Sequence, residues 1–437
     1  MSIFKACDIR GKYGEELTDD IAFKIGRATG TLCKNKNTVV GGDLRPSTSE
    51  LKTGLIKGLL LSGCNVIDIG TVPTPVFYFA LKYLSENCGI QITGSHNPPQ
   101  DNGMKIVLGK NPVTPEEIQE IKNLVESEHF ETGKGKILST DITPYYRKYI
   151  RKFFKHGNIK VAVDAGNGCW WKIAPEILSE LGYSVVKIFC EPDGTFPNRS
   201  PNPAIYENIK ELQKRVIESD ADFGVAFDGD GDRAIFVDEE GQVVPADTAI
   251  ILYIRDILEN TKNEYVVFDI KCSQAIEEEI KRFSGIPIME KSGHAFIKRR
   301  FLETDAPFAG EVSGHYFFRE IGGDDGLFAT LKMAEIIQKK GPLSEQIKSI
   351  RRFPITPDIR IPVKKPEEIL KALIKHYPSD RINTLDGVRI QFQHGWALIR
   401  KSVTEPVITI RFEAESEKML EDIKNEIFSL IPEVRRI

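Results

Sequence analysis

The segment IKVAVD, residues Ile159 to Asp164, is an apolar run that ends in an acidic residue and is followed by a helical pattern. A second strand pattern, GYSVVKIF, begins at Gly182. A strand, a helix and a second strand over this length are typical of a βαβ unit, in which the two strands lie parallel. This stretch therefore predicts an α/β fold.

The same pattern occurs three times. TVVGGD (38–43) and YVVFDIK (265–271) are the matching first runs, and the strands after the helices are GCNVIDIG from Gly63 and GIPIMEKSG from Gly285. A third apolar run in each copy ends in a polar loop: GIQITGSHNPP, DFGVAFDGDGDR and APFAGEVSGHYF. The repeat predicts three α/β domains in series, with mostly parallel sheets whose strand ends carry loops. A chance likeness among α/β segments is the alternative.

The pattern changes near residue 355. RRFPITPDIRIPVKKPEE (351–368) is rich in proline and charge, which is typical of a connector. GVRIQFQ, HGWALIRK and PVITIRFEAE then alternate as strands do. The apolar residues of the amphipathic helix that follows are Met419, Leu420, Ile423, Ile427 and Leu430. We predict a fourth, smaller α+β domain and boundaries that give domains at 1–142, 143–243, 244–354 and 355–437.

The composition limits the classes of partner that we expect. The chain has 437 residues, a formal net charge of -4 and a pI near 6.1, so it has no general basic field, and we expect neither nucleic acid nor membrane as a partner. The N-terminal segment lacks a secretory-signal pattern, and the longest apolar run (55–69) is interrupted by polar residues. Seven scattered cysteines without a C-x-x-C pair favour reduced thiols and a cytoplasmic location.

The acidic loop DGDGDR (228–233) is the strongest chemical signal. Asp228, Asp230 and Asp232 alternate with glycines, which allow the backbone to curl so that the carboxylates converge. Three buried, unpaired charges would each cost several kcal/mol, so a cation is expected among them. Oxygen ligands fit a hard divalent ion, and magnesium fits if a phosphate oxygen completes the shell. Arg233 follows directly and is placed to clamp such a phosphate.

Two other interpretations of this loop remain. An EF-hand calcium loop requires glycine at the sixth position, where this chain has Arg233, although Glu239 matches the glutamate at the twelfth. A solvated acidic turn without a metal is the second alternative, with Arg233 as an ordinary surface arginine.

The loop TGSHNPP (93–99) contains a candidate nucleophile, Ser95. A hydrolase elbow requires G-x-S-x-G before a helix, whereas here the second glycine is missing and two prolines prevent a helix from starting. In an extended backbone the side chains of Ser95 and His96 point apart, which makes His96 a poor base for Ser95. Lys105, in DNGMK, adds a cation nearby. A serine with lysine, arginine and a metal favours phosphoryl transfer.

Two further loops carry polar side chains at alternate positions. In GEVSGH, residues Glu311, Ser313 and His315 would point to one side of an extended segment, where they could bind vicinal hydroxyls of a sugar. A strand end with a solvated polar face is the alternative. RKSVTEP (400–406) combines a guanidinium with two hydroxyls, which suits a phosphate cradle. Its candidate residues are Arg400, Ser402 and Thr404.

Taken together, TGSHNPPQDNGMK, DGDGDR, GEVSGH and RKSVTEP resemble, in this order and spacing, the α-D-phosphohexomutase superfamily, in particular its phosphomannomutase/phosphoglucomutase branch. The resemblance extends from FKACDIRG near the N-terminus to the last domain. It implies an α/β fold class: three repeated α/β domains with mixed sheets around a central cleft, plus a C-terminal α+β domain related to the TATA-box-binding-protein fold.

The resemblance also implies roles. Ser95 matches the serine that is phosphorylated in the active enzyme, and the aspartates at 228, 230 and 232 match Mg²⁺ ligands, with a phosphoserine oxygen as another. The positions that match those around the transferred phosphoryl group are Arg10, Lys105 and Arg233. The positions that match the sugar site, other cleft residues and the distal-phosphate loop are Glu311, Ser313, His315, Lys271, His294, Arg400, Ser402 and Thr404. The chain departs from the family at Val403, where glycine or asparagine is usual, and a β-branched residue disfavours positive φ there.

The implied reaction interconverts hexose 1-phosphate and hexose 6-phosphate, of mannose, glucose or both. Phosphoserine donates its phosphoryl group to a hexose phosphate, the resulting 1,6-bisphosphate turns around in the cleft, and its other phosphate returns to the serine. Glucose 1,6-bisphosphate or mannose 1,6-bisphosphate would act as activator. The alternatives are a phosphoglucosamine or acetylglucosamine-phosphate mutase and a non-catalytic sugar-phosphate-binding regulator. The preferred hexose, the acid/base group and the oligomeric state are left open.

Overall fold

The chain forms four β-sheets flanked by helices in a computed structural model that describes residues 3–33, 36–109, 111–401 and 407–431. The first sheet has the order β1-β5-β4-β2-β3-β7, with β6 paired to β5. Its strands are β1 (Ile9–Lys12), β2 (Asn37–Gly42), β3 (Asn65–Thr71), β4 (Cys88–Ile92), β5 (Asp101–Leu108), β6 (Asn111–Pro112) and β7 (Ile137–Ser139). Its helices are α1 (Asp19–Cys33), α2 (Thr48–Leu61), α3 (Thr74–Tyr83) and α4 (Pro115–Ser127).

The second sheet is smaller and has the order β12-β11-β10-β8-β9. Its strands are β8 (Lys160–Asp164), β9 (Ser184–Ile188), β10 (Phe223–Phe227), β11 (Ala234–Asp238) and β12 (Val243–Val244). The α-helices along this part of the chain are α5 (Thr143–Ile150), α6 (Ile173–Glu180) and α7 (Lys210–Glu218), with a 3₁₀ turn at Tyr206–Ile209.

The third sheet has the order β14-β13-β15-β16-β17. Its strands are β13 (Tyr265–Asp269), β14 (Ile286–Glu290), β15 (Phe308–Glu311), β16 (His315–Phe318) and β17 (Gly323–Asp324). Its helices are α8 (Ala246–Leu258), α9 (Gln274–Arg282), α10 (His294–Glu303), α11 (Gly326–Lys340) and α12 (Leu343–Lys348).

The three sheets share one core topology, which confirms the predicted repeat. In each, a central strand (β2, β8 or β13) lies parallel to two neighbours, and the third parallel strand then pairs antiparallel with the next strand of the chain. The sheets are therefore mixed, because a short loop returns the chain directly beside the strand that it has just left. The serine loop, the acidic loop and the GEVSGH loop are the three loops that connect these antiparallel pairs. They therefore occupy equivalent positions in the three repeats.

The fourth sheet is antiparallel in the order β18-β22-β21-β20-β19. Its elements are β18 (Ile359–Pro362), α13 (Pro366–His376), a 3₁₀ turn (Ser379–Arg381), β19 (Ile382–Asn383), β20 (Val388–Phe392), β21 (Gly395–Lys401), β22 (Val407–Ala414) and α14 (Glu417–Leu430). The segment predicted to be a connector contains β18, so that prediction is wrong for 359–362. Pro362 is tolerated there because β18 is an edge strand.

Apolar packing joins the three repeats more closely than it joins the fourth unit. A continuous buried core includes Phe77 of the first repeat, Trp170 of the second and Phe328 of the third. The fourth unit has its own core, and a small cluster of Ile270 with Trp396 and Leu398 attaches it to the third repeat. Across the part of the chain that the structure describes, no helix is long and apolar enough to cross a membrane.

Candidate active site

Ser95 lies on the return between β4 and β5 and is 1% exposed. Its Oγ donates a hydrogen bond of 2.9 Å to Asp228 Oδ2 in the acidic loop and lies 3.3 Å from His96 Nδ1. The expectation that Ser95 and His96 point apart is wrong, because Ser95 has a φ of 48° and the backbone is left-handed rather than extended. The Arg233 charge, together with burial, lowers the pKa of His96, so this imidazole is neutral.

A buried arginine that the sequence did not reveal shapes the serine loop. The guanidinium of Arg45 donates to the carbonyl oxygens of Ser95 (2.8 Å), Asn97 (2.6 Å) and Asp101 (2.9 Å). Its Nε lies 3.1 Å from Asp43 Oδ2, and both side chains are fully buried. Asp43 is the acidic residue that ends the first repeat's TVVGGD run, so this repeated position holds the loop in place.

The second repeat contains an equivalent buried arginine–aspartate pair. Arg199 Nε lies 2.8 Å from Asp164 Oδ2, and the guanidinium also donates to the Phe227 carbonyl (2.7 Å), immediately before the acidic loop. In the third repeat Asp269 instead accepts from the Lys271 amide (2.9 Å) and from Ser292 Oγ (3.2 Å). Burial, with the nearby Glu311 charge second, raises the pKa of Asp269 to about 7.

This raised pKa predicts a pH-dependent stability. The folded chain binds the Asp269 proton more tightly than the unfolded chain, whose carboxyl titrates near 3.8, so stability is lost as the pH rises from about 4 through 7. Asp269→Asn keeps an acceptor for the Lys271 amide without the charge. We expect the variant to gain most over wild type near pH 8 and the gain to shrink toward pH 5, measured as urea midpoints. The control Asp305→Asn removes an exposed carboxylate, so its urea midpoint should change with pH as that of wild type does. If the midpoint of Asp269→Asn also followed wild type at every pH, the raised pKa of Asp269 would be contradicted.

The acidic loop brings three buried carboxylates together. Asp228, Asp230 and Asp232 each offer one oxygen, and these atoms lie within 4.8 Å of one another. Asp228 Oδ1 accepts from the amides of Gly231 (2.9 Å) and Arg233 (3.2 Å), which fixes the curl of the loop. Gly231 has a φ of 81° and packs directly against the Trp170 indole, so a side chain would not fit. The oxygen-only ligand set matches the preference of a hard divalent cation.

Lys105 lies against these carboxylates. Its Nζ is 2.7 Å from Asp230 Oδ2 and also contacts Asp232 Oδ2. Burial opposes the charge, yet the Asp230 and Asp232 carboxylates raise the pKa of Lys105 well above its usual value, so it is an ammonium ion. Thr74, at the start of α3, donates to Asp230 Oδ2 at 2.6 Å. Sequence reasoning missed Thr74, and its only signal was its position after the second strand of the first repeat.

The GEVSGH loop is a tight hairpin and not an extended segment. Glu311 and His315 face each other across β15 and β16, and Gly314 has a φ of 92° in the turn between them. The predicted alternation is therefore wrong, but the three side chains still converge. Ser313 Oγ lies 2.8 Å from Glu311 Oε1 and 2.8 Å from His315 Nδ1.

Further residues on the first and third repeats complete the wall of the site. His315 Nε2 lies 3.1 Å from Asp232 Oδ1, which joins the GEVSGH hairpin to the acidic loop. His294 Nε2 lies 3.1 Å from Asp324 Oδ1. The buried Lys298 ammonium lies over the Tyr78 ring, 3.0 Å from its centroid. Asp324, Lys298 and Tyr78 were not predicted, because no local pattern marks residues that meet only through tertiary packing.

A cavity of about 640 Å³ lies beside these groups, and its lining does not include the three aspartates or Ser313. The predicted site residues that line it, together with His96, are Arg10, Ser95, Lys105, Arg233, His294, Glu311, His315 and Arg400. Arg400 pairs with Asp386 (2.8 Å), and Arg10 pairs with Asp8 (2.7 Å). Lys271 does not line this cavity, since its Nζ is paired with Asp358 at 2.5 Å. Ser402, Val403 and Thr404 lie outside the described residues.

Four consecutive sequence matches identify the chain. They are to phosphoglucomutase/phosphomannomutase alpha/beta/alpha domain I (residues 1–132), domain II (144–241), domain III (245–353) and the C-terminal domain (359–430). The chain belongs to the phosphoglucomutase/phosphomannomutase family. Members of this family are isomerases that move a phosphoryl group within a hexose phosphate, and the chain is a phosphohexose mutase.

Relatives of this phosphohexose mutase cover nearly its whole length. The phosphomannomutase/phosphoglucomutase of Pseudomonas aeruginosa is 42% identical over 97% of this chain and 94% of its own. A phosphoglucomutase of Neisseria gonorrhoeae is 38% identical over 98% of this chain and 96% of its own. The names of these relatives do not favour the amino-sugar mutase or the regulator.

Solved structures share the four-domain architecture of the family. A phosphoglucomutase/phosphomannomutase family protein from Burkholderia thailandensis superimposes with a TM-score of 0.93 at 36% identity, over 99% of this chain and 97% of that one. An Aspergillus fumigatus N-acetylphosphoglucosamine mutase, solved with GlcNAc-6P and magnesium, has a TM-score of 0.61 at 13% identity, covers 99% of this chain and 95% of its own, and shows likeness of fold alone. The phosphohexose mutase family is Mg²⁺-dependent, and the buried aspartate cluster of this chain is suited to a metal ion.

Proposed function

We propose that this mutase transfers phosphoryl groups through Ser95, as a phosphoserine. The observation that carries the proposal is the position of Ser95 Oγ, 2.9 Å from Asp228, where the serine loop meets the acidic loop at the edge of the cavity. In the first half-reaction the phosphoserine P–O bond breaks while a bond forms from phosphorus to a free sugar hydroxyl, which loses its proton as Ser95 Oγ gains one. In the second, Ser95 Oγ loses that proton and bonds to the other phosphorus of the bound 1,6-bisphosphate. The sugar P–O bond breaks and the sugar oxygen gains a proton, so the serine ends phosphorylated, as it began.

We propose that Asp228, Asp230 and Asp232 hold Mg²⁺, with a phosphoserine oxygen as a further ligand. The proposal is supported by the oxygen-only ligand set and by Asp230 Oδ1, a buried oxygen that accepts no hydrogen bond from the described residues. When bound, magnesium supplies charge neutralisation for the transferring phosphoryl group.

Cationic side chains of the chain also neutralise charge on the transferring phosphoryl group. Lys105, Arg233 and Arg10 line the cavity around Ser95, where they would bind the phosphoryl oxygens. Burial opposes the charge of Arg10, but Asp8 raises the pKa of its guanidinium, and Lys105 is likewise held charged. In their charged forms these two residues stabilise the negative charge of the transferring phosphoryl group.

The sugar is proposed to bind the GEVSGH hairpin. Glu311, Ser313 and His315 form one polar surface, which suits the 3- and 4-hydroxyls of a hexose in either of two flipped poses. The distal phosphate would then meet Arg400 in both poses, and Ser402 and Thr404 are proposed to bind the same phosphate. His294 is proposed as a further cleft contact and Lys271 as a residue that reaches the substrate only after leaving Asp358.

Each of the four proposed domains contributes one functional loop. Residues 1–142 carry the phosphoserine loop, 143–243 the metal loop, 244–354 the sugar loop and 355–437 the phosphate loop. We also propose glucose 1,6-bisphosphate or mannose 1,6-bisphosphate as activator, hexose phosphates of mannose or glucose as substrates, and a cytoplasmic location, which the cysteine pattern supports.

An assay of the purified protein tests the function. With Mg²⁺ and a trace of glucose 1,6-bisphosphate, we expect turnover of glucose 1-phosphate, mannose 1-phosphate or both, and less of glucosamine 1-phosphate and N-acetylglucosamine 1-phosphate. A chelator should abolish turnover, and added Mg²⁺ should restore it. Turnover of none of the four would favour the regulator, and preference for an amino sugar would favour that mutase.

A further inference from the structure

A second group of possible metal ligands lies beside the three-aspartate loop. Asp232, His315 and Asp324 each offer one ligand atom, and these atoms lie within 4.8 Å of one another. All three side chains are buried. Asp232 belongs to the acidic loop, His315 begins β16 and Asp324 ends β17, so the group spans the second and third repeats.

Two oxygens of this group face His315 without a hydrogen bond. Asp232 Oδ1 and Asp324 Oδ2 are buried, and no described residue makes a hydrogen bond of acceptable geometry to either. His315 Nε2 lies 3.1 Å from the first and 3.9 Å from the second. Around a tetrahedral ion with bonds of 2.0–2.1 Å, neighbouring ligand atoms lie about 3.3 Å apart. The observed distances bracket this value. We propose that Asp232, His315 and Asp324 form a second metal site, which takes a zinc-like transition-metal ion.

The surroundings orient these ligands. His315 Nδ1 lies 2.8 Å from Ser313 Oγ, and a proton held on Nδ1 leaves the Nε2 lone pair for the metal. The Asp324 carboxylate meets His294 Nε2 with both oxygens, Oδ1 at 3.1 Å and Oδ2 at 2.9 Å. Oδ1 also lies 3.6 Å from the Lys298 ammonium, so an ion at Oδ2 would replace the second His294 contact while Oδ1 keeps the hydrogen bond. This arrangement leaves a fourth position on the ion for water.

The ligand chemistry separates the two sites. A site with one imidazole nitrogen and two carboxylates suits Zn²⁺ or Co²⁺, whereas the all-oxygen site of the aspartate triad suits Mg²⁺. Asp232 serves both, with Oδ2 toward Lys105 and Oδ1 toward His315. An excess of Mg²⁺ therefore should not displace an ion from the second site.

Occupancy of the second site inhibits turnover. The ion takes Nε2 of His315, whose other nitrogen contacts Ser313 in the sugar-binding hairpin, and it draws on the charge of Asp232. Binding of the ion is independent of the reaction, but this inhibitory effect rests on the proposed function. The two are therefore measured separately.

Cobalt binding to the full chain tests the site. With Mg²⁺ saturating and no substrate present, we expect wild type to bind one equivalent of Co²⁺ with the visible absorption of a four-coordinate site. Asp324→Asn should weaken this binding at least about tenfold, since even residues that only orient a ligand are worth 10–100-fold. Lys298→Met should tighten it, because a competing ammonium is removed. His96→Gln, in the same cleft but outside the three ligands, should bind as wild type does.

The outcomes separate the alternatives. Absence of a Mg²⁺-resistant cobalt signal in wild type, or an unchanged affinity in Asp324→Asn, would overturn the site. If Asp324→Asn fails to fold, Lys298→Met decides, since unchanged or weaker binding there also overturns it. Turnover is then measured at saturating Mg²⁺ with rising Co²⁺. Cobalt binding that leaves turnover unchanged would overturn the inhibitory role, whereas a protein that binds cobalt but has no mutase activity would refute the proposed function alone.

Discussion

Replacing Ser95 with alanine is expected to lower hexose 1-phosphate turnover by at least about 10³-fold, the scale seen when a covalent nucleophile is removed. The reason is that Oγ is proposed to carry the phosphoryl group between the two half-reactions. Among the described residues, the only charged partner of this oxygen is Asp228, so the fold and the cavity walls should persist when it is removed. Sugar-phosphate binding, measured by calorimetry, should therefore remain detectable.

Intact mass supplies an independent measurement. Wild type should show a species heavier by about one phosphate group, and Ser95→Ala should lose it. Ser313→Ala is the matched control: it removes a hydroxyl from the sugar-binding hairpin, so it should keep the heavier species while raising the KM. Near-normal turnover by Ser95→Ala, or a retained mass shift, would show that the phosphoserine mechanism is wrong.

The fold was predictable because its evidence is local and repeated. Each repeat places an apolar run, an aspartate, a helix and a glycine in the same order, and a βαβ unit gives these residues the same place in each sheet. Since the serine, acidic and GEVSGH loops follow the third strand of each copy, their equivalence could be inferred from sequence. The residue pattern did not show that the next strand pairs with the third strand of each copy. Because it does, the short loop between them makes the pair antiparallel.

The parts of the site that the sequence did not predict depend on tertiary contacts or on unusual backbone conformations. Asp324 and Lys298 meet the other repeats only through packing, and neither belongs to a spaced motif. The left-handed φ of Ser95 places His96 beside it, and non-glycine residues adopt that conformation too rarely for a sequence to predict it. The predicted strand alternation in GEVSGH failed for a similar reason, because Gly314 turns the chain.

The second large effect is expected on stability, from Arg45→Met. The Arg45 guanidinium and the Asp43 carboxylate are both fully buried, and the guanidinium also binds loop carbonyls that include that of Ser95. Removing one partner of a buried pair leaves an uncompensated charge, which costs about 3–5 kcal/mol. We expect a large drop in the urea midpoint together with loss of turnover, since the serine loop loses its support.

A double variant separates the charge effect from the loss of packing. Asp43→Asn combined with Arg45→Met removes both charges, so it should recover part of the stability lost in Arg45→Met alone. It should not recover turnover, because the Ser95 carbonyl still lacks its donor. Arg319→Met is the exposed control: it breaks a surface pair with Glu264 at 2.8 Å and should cost at most about 1 kcal/mol. If Arg45→Met were no more damaging than this control, the buried pair would not be what holds the serine loop. The repeated strand-end aspartate would then need another explanation.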